Sequence, residues 1–172
     1  MLDQQFRDLM AGVCAPVAVI TTADDDGPHG ATVSSLASLS LRPALLSIAL
    51  DYRSALLERI LATGRFGVNV LNSMQSDVAT TFATRDADRF GSAPWSASNA
   101  LPRLDDVAGW AACELAQTVE AGDHLLLIGA VTTAASTPRA PLVYAHRTFG
   151  THSNFATRTR PAIIDYISAC AS

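Results

Sequence analysis

The chain has 172 residues and a formal net charge of -4, and 49% of its residues are hydrophobic while only 16% are charged. A chain of this size and composition can bury one hydrophobic core, so we expect a single compact domain. An acidic chain without a cluster of Lys or Arg is a poor candidate for nucleic-acid binding. No apolar run reaches the roughly 18 to 20 residues that span a bilayer, so we expect no membrane segment.

The cysteines and histidines argue against disulfide bonds and metal ions. Cys14, Cys113 and Cys170 are far apart and form no Cys-x-x-Cys pair, which disfavours a disulfide framework and a zinc site. The four histidines match no common metal-ligand spacing. The amino terminus contains acidic residues and lacks the basic segment followed by an apolar run that is typical of a signal peptide. We therefore predict no signal peptide and a reducing, cytoplasmic location.

The amino-terminal third predicts a helix followed by a β-hairpin. Apolar residues recur at helical spacing before Pro16: Phe6, Leu9, Met10 and Val13. They predict a short amphipathic helix that ends near Gly12. Residues 16–22 (PVAVITT) form a β-branched run, and the acidic segment 24–28 is typical of a turn, with a partner strand that begins at Gly30.

Two further strands and a helix are predicted next. Residues 31–41 alternate loosely between small hydroxyl and apolar side chains, which favours one strand, and 44–50 form an apolar run typical of a buried strand. Ser54 is a candidate N-cap for a helix through Leu61 that closes at Gly64.

The middle of the chain is less regular. We predict a strand over 66–71 and a helix over 73–83. Residues 85–104 are rich in Asp, Ser, Asn, Gly and Pro, which indicates an irregular surface segment. Phe90 and Trp95 could pack it against the rest of the protein.

Three strands and a helix are predicted in the last part. The β-prone segments are 108–119, 124–133 and 142–145, and helical spacing predicts a terminal helix within 161–169. Several closely spaced strands with few helices favour a β-barrel.

No self-contained catalytic machinery is present. The sequence lacks a Gly-x-Ser-x-Gly elbow, a His-Glu-x-x-His motif, a phosphate loop and a Gly-x-Gly-x-x-Gly fingerprint. Hydroxyl residues instead cluster on one predicted strand: Thr32, Ser34, Ser35, Ser38 and Ser40. These serines either lie on a solvated sheet face or, with free backbone N–H groups, bind a phosphate and a ribityl chain.

The ordered set of segments resembles the flavin reductase family, the short reductase components of two-component flavin monooxygenases. The segments are PVAVITT, GATVSSLASLSLRP at 30–43, RFGVNVL, GDHLLLIGAV at 122–131 and PLVYAHRTF, and the resemblance covers about residues 5–149. It implies a mainly β fold with flanking helices, the FMN-binding split β-barrel, with a Greek-key-like topology. We therefore expect one such domain over 1–150 and a tail with a short helix over 151–172.

The resemblance also implies an activity and partners. Members are NAD(P)H:flavin oxidoreductases that reduce FMN or FAD with NADH or NADPH. They are usually homodimers that supply reduced flavin to a monooxygenase. Two alternatives remain: an enzyme that retains its flavin and acts on an organic substrate, and a flavin-binding protein without activity.

Site residues follow from the resemblance position by position. Those matched to flavin contacts are Thr32, Val33, Ser34, Ser35, Ala49, Leu50, Ser54, Phe82 and Arg89. Those matched to the nicotinamide region are His124, Tyr144, Arg147 and Phe149. His124 follows Gly122-Asp123 at a predicted strand start and is the candidate catalytic residue, although it could instead satisfy a turn.

Overall fold

The computed structural model describes residues 2–152, so the helix predicted within 161–169 lies outside the described residues. The helices are α1 (Leu2–Ala11), α2 (Ala55–Thr63), α3 (Ser76–Ala83) and α4 (Arg89–Ser92). The strands are β1 (Ala15–Pro16), β2 (Ala18–Asp24), β3 (Gly27–Val33), β4 (Ala37–Leu41), β5 (Ala44–Asp51), β6 (Arg65–Val70), β7 (Trp95–Ser98), β8 (Leu101–Leu104), β9 (Gly109–Ala121), β10 (His124–Ser136), β11 (Leu142–Ala145) and β12 (Thr148–Thr151). The prediction of a mainly β fold with flanking helices is confirmed.

One antiparallel sheet dominates the molecule. Its seven strands run in the order β3-β2-β6-β9-β10-β5-β4. Three hairpins, β2–β3, β4–β5 and β9–β10, supply six of these strands. The smaller sheets are β1-β11-β12 and the β7–β8 hairpin.

The central strands are buried on both faces. Along β2 and the residue before it, Val17 and Val19 pack into one hydrophobic cluster, whereas Ala18 and Ile20 pack into the other. Through Leu56, helix α2 covers the cluster that contains Ala18 and Ile20. Helix α3 and the β7–β8 hairpin cover the cluster that contains Val17 and Val19. This burial on both sides explains why the β2 segment is a continuous apolar run and does not alternate with polar residues.

Three sequence expectations about local structure need correction. The segment 31–41 is two strands, because β3 ends at Val33 and β4 begins at Ala37. The β3 strand begins at Gly27 and includes Pro28, which is tolerated because β3 lies at the sheet edge. The segment 85–104 is more regular than predicted, since it contains α4 and the β7–β8 hairpin.

Helix α1 lies on the surface of the molecule. It ends at Ala11, close to the predicted end near Gly12, so Val13 lies beyond it; none of its residues is buried. Within residues 2–152, no helix has the length and apolar character needed to cross a bilayer.

Candidate functional site

The largest group of predicted site residues lies in one cleft between β3 and β5, which we call the β3–β5 cleft. Its volume is about 730 Å³, within the range of small-molecule sites. The lining residues are Phe6, Met10, Ala31, Thr32, Val33, Ser34, Ser35, Ala49, Leu50, Asp51, Ser54 and His124. The structure therefore brings together seven of the predicted flavin contacts and the candidate catalytic histidine.

The break after β3 creates the polar side of this cleft. Ser34 and Ser35 follow Val33 and pair with no neighbouring strand among the described residues, which leaves their N–H groups outside any ladder. The Ser34 side chain is exposed and makes no hydrogen bond within residues 2–152. A segment with unpaired N–H groups and a free hydroxyl suits an anionic group such as a phosphate.

The other two hydroxyl groups in residues 32–35, those of Thr32 and Ser35, already have partners within the protein. The Ser35 hydroxyl donates to the Ala49 carbonyl at 3.0 Å and accepts from the Ala49 N–H at 2.9 Å. The Thr32 hydroxyl donates to the Ala79 carbonyl at 2.7 Å. These two hydroxyls are therefore not simply exposed to solvent on a sheet face. Of the three hydroxyl groups, only that of Ser34 remains free to bind a ligand within the described residues.

His124 is the first residue of β10, and two carboxylates flank it. Gly122 has a φ of 64° in the preceding turn, a left-handed conformation that favours glycine. The His124 Nδ1 lies 2.7 Å from an Asp123 carboxylate oxygen, and Asp51 is its partner residue across the β5–β10 ladder. The hydrogen bond with His124 lowers the pKa of Asp123, while the Arg53 side chain holds the pKa of Asp51 well below its usual range.

This arrangement favours one tautomer of the His124 ring. A deprotonated Asp123 carboxylate can only accept a hydrogen bond, so Nδ1 carries the proton. The second ring nitrogen, Nε2, has no partner within the described residues. His124 therefore serves the turn and also offers the cleft a free ring nitrogen.

The remaining predicted nicotinamide residues line a second, adjacent cleft, the hairpin cleft, of about 400 Å³. Tyr144 and Phe149 pack together on the β11–β12 hairpin with ring centroids 5.2 Å apart, and Arg147 lies in its turn. The wall formed by residues 32–34 belongs to both clefts. The structure thus does not place His124 in one cleft with the three hairpin residues; it places them on two sides of a shared wall.

Arg89 and Phe82 lie away from the β3–β5 cleft. Arg89 donates to the Gly30 carbonyl at 3.0 Å and to the Thr84 carbonyl at 2.8 Å, and it lines a third cleft of about 330 Å³. Phe82 is fully buried and packs edge-on against Phe90 at 5.1 Å. A Cβ on Gly30 would come within 2.9 Å of the Phe82 ring, so Phe82 supports β3 from beneath and lines none of these three clefts.

The sequence prediction gave no site role to four residues of the β3–β5 cleft: Phe6, Met10, Ala31 and Asp51. Phe6 and Met10 were placed on the apolar face of a predicted helix and received no contact role, and helical spacing does not tell where that face packs. Asp51 follows the predicted contact Leu50 directly, and its register opposite His124 was visible only once the strands were paired.

Comparison with known proteins assigns this chain to a family. Residues 10–153 match the flavin reductase like domain, and the chain belongs to this family. The curated protein "Probable flavin reductase" of Rhizobium meliloti is 38% identical over 142 residues, which are 81% of this chain and 46% of that protein. The reductase component of the flavin-dependent trigonelline monooxygenase of Acinetobacter baylyi is 36% identical over 156 residues, 90% of this chain and 50% of that one. This chain spans about half the length of these two curated relatives.

The fold is shared with solved flavin reductases. The NADH:FAD oxidoreductase SgcE6 of Streptomyces globisporus, solved in complex with NAD and FAD fragments, superposes with a TM-score of 0.86. It is 26% identical in sequence, and the match covers 90% of this chain and 95% of that one. The predicted split-barrel fold is confirmed.

Proposed function

We propose that this protein is an NAD(P)H:flavin oxidoreductase that binds FMN or FAD in the β3–β5 cleft. The observation that carries this proposal is the meeting of the unpaired Ser34–Ser35 segment, the small residue Ala49 and His124 in one cleft of suitable size. The family membership and the names of the relatives support it.

The residues present fit a flavin. The free Ser34 hydroxyl and the N–H groups of Ser34 and Ser35 suit its phosphate, and the small side chains Ala31 and Ala49 allow close approach of its ribityl chain and ring. The apolar residues Leu50 and Met10 can cover the ring. In this assignment Phe82 and Arg89 act indirectly, because one packs beneath β3 and the other bonds the Gly30 carbonyl.

The absence of a recognisable nucleophile motif in the sequence agrees with this chemistry. Hydride transfer from a reduced nicotinamide to a flavin takes place between the two cofactors, and the protein holds them together and excludes competing reactions. His124 lines the cleft with Nε2 free within the described residues, where it can bind the nicotinamide side or exchange a proton with the reduced flavin. Tyr144, Arg147 and Phe149 offer an aromatic and cationic surface on the other side of the shared wall.

We also propose that the protein is a cytoplasmic homodimer that supplies reduced flavin to a monooxygenase. The Acinetobacter baylyi relative is by name the reductase component of a monooxygenase, which supports a partner of this kind. Exposed apolar side chains on β4, Leu39 and Leu41, support burial of surface in an assembly.

One set of measurements tests the activity. The absorbance of the purified protein shows whether flavin is retained, and NADH and NADPH oxidation is then followed with and without added FMN or FAD. We expect oxidation that requires added flavin and rises with its concentration. Oxidation at the rate without enzyme, for both flavins and both reductants, would contradict the proposal. Turnover with retained flavin alone would favour the alternative of a flavin-retaining enzyme.

A further inference from the structure

Helix α1 forms one side of the β3–β5 cleft although it contributes nothing to the hydrophobic core. None of its residues is buried. Two of its side chains, Phe6 and Met10, nevertheless line the cleft together with Ser34 and His124. Without a ligand these two apolar side chains remain 59% and 47% exposed, respectively, so their positions suggest that a ligand covers them.

We infer that Phe6 and Met10 form a movable apolar wall that contacts the ring system of a bound flavin, so that α1 controls how long the flavin stays in the cleft. This inference rests on the proposed function. An aromatic ring and a flexible thioether are well suited to a flat, polarisable ring. The same cleft also contains the polar residues Ser34 and Ser35, so it offers an apolar surface for the ring and polar groups for the phosphate of an FMN molecule.

The attachment of α1 to the rest of the protein is slight. The Ala11 carbonyl accepts a hydrogen bond from the His146 N–H at 2.5 Å, which fixes the end of the helix. In the last turn of the helix, Asp8 forms an ion pair with Arg147 at 3.2 Å, and both side chains are more than half exposed. An exposed ion pair of this kind contributes little and is weakened by salt.

Because these contacts hold only its C-terminal end, helix α1 can pivot about that end. When flavin is bound, the apolar contacts of Phe6 and Met10 with the ring favour the closed position. Because no core contact has to be broken, α1 can move away and release the flavin. The structure therefore fits a protein that exchanges flavin with solution and does not hold it permanently.

The first test compares three alanine variants of the same helix. Phe6→Ala and Met10→Ala each remove a cleft-lining side chain, and Leu9→Ala removes one that is 67% exposed and does not line the cleft. FMN affinity is measured by fluorescence titration and FMN release by stopped flow. We expect about fivefold to tenfold faster release for Phe6→Ala and Met10→Ala, because apolar contact with the ligand is lost, and release within about twofold of wild type for Leu9→Ala.

The second test addresses the ion pair. Asp8→Asn removes the partner of Arg147 at unchanged size, and Asp3→Asn makes the same charge change on the same helix away from that pair. We expect Asp8→Asn to release FMN faster than wild type at low salt, with the difference fading as salt is raised. Asp3→Asn should behave as wild type.

The outcomes separate this inference from the proposed function. If wild type binds FMN and oxidises NADH, but the Phe6→Ala/Met10→Ala double variant releases FMN at the rate of Leu9→Ala, the wall assignment is wrong and the proposed function stands. If wild type binds neither FMN nor FAD, both are wrong. Circular dichroism and melting curves confirm that the variants fold, which we expect because α1 has no buried residue.

Discussion

The hydroxyl of Ser35 bonds to both main-chain polar groups of Ala49, donating to the carbonyl at 3.0 Å and accepting from the N–H at 2.9 Å. In the sheet, β3 and β5 are separated by four other strands. This side chain therefore joins two distant parts of the sheet at the point where the β3–β5 cleft opens. Its neighbour Ser34 is exposed and makes no such bond within the described residues.

The two adjacent serines should respond differently to replacement by alanine. Ser35→Ala leaves the Ala49 N–H and carbonyl without a partner, and we expect the free energy of unfolding to fall by about 1 to 3 kcal/mol. Ser34→Ala should change stability by less than about 0.5 kcal/mol but raise the FMN dissociation constant about tenfold or more, as expected for a lost hydrogen bond to a charged group. Urea unfolding and fluorescence titration measure the two effects, and equal behaviour of both variants would contradict the assignment.

Replacing His124 should change the KM for the reductant and leave the affinity for flavin unchanged. We expect His124→Ala to raise the KM for NADH with FMN affinity nearly unchanged, because binding energy to one substrate is removed. Asp123→Asn is the matched variant: it keeps the ring but removes the carboxylate that holds Nδ1–H, so a smaller rise in KM is expected. A normal KM in His124→Ala would assign this histidine to the turn alone, and lost FMN binding would place it in the flavin half of the site.

The β2–β3 hairpin is tied to α2 by an ion-pair cluster whose contribution depends on pH. The Arg59 side chain, with a smaller effect from His29, lowers the pKa of Asp24 from 3.8 to about 2. A carboxylate with a lowered pKa stabilises the folded state above its unfolded pKa and loses that contribution as pH falls through the folded value. Asp24→Asn should therefore lower the melting temperature at neutral pH, and its difference from wild type should shrink between about pH 4 and pH 2.

Asp25→Asn is the control for this experiment. It makes the same charge change at the next residue, and the Asp25 side chain forms no hydrogen bond or ion pair within residues 2–152. A difference between Asp24→Asn and wild type that stays constant from pH 7 to pH 2 would show that the cluster does not act through the charge of Asp24.

The cysteines of the described residues should differ sharply in reactivity. Cys113 is buried between β6 and β10, and burial raises the pKa of its thiol to about 12, so almost no thiolate is present at neutral pH. Cys14 is exposed. In the native protein, iodoacetamide labelling mapped by mass spectrometry should modify Cys14 and leave Cys113 unmodified until denaturant is added. Rapid native labelling of Cys113 would contradict its placement in the core.

The elements with strong local signals could be predicted from the sequence. The helix that closes at Gly64 was predicted correctly because a left-handed glycine ends it, whereas Ser54 occupies the N-cap position without a side-chain capping hydrogen bond. The strand at 44–50 was correct because a short continuous apolar run favours a buried strand. The break between β3 and β4 was missed, since the alternation of small residues through Ser34 and Ser35 continues across it and only the Ala49 contact reveals why the strand stops there.

The site was predicted less completely, for a physical reason. The residues of β3 and β5 could be matched because they lie in continuous segments, whereas the wall supplied by Phe6 and Met10 depends on where a surface helix rests. The division of the nicotinamide residues into two clefts depends on the β11–β12 hairpin. Its second strand was not predicted, because the His146–Arg147 turn uses two left-handed residues that are not glycine and so carries no usual turn signal.

The strand order has a consequence for how the protein acquires its cleft during folding. The central ladders join residues far apart in the chain, such as Ala18 with Val70 and Arg65 with Glu114. Long loops must close before these contacts form, which places the protein among the slower-folding β topologies. The cleft draws on segments from Phe6 to His124, so no short fragment carries it, and a nascent chain gains the site only after β10 has emerged.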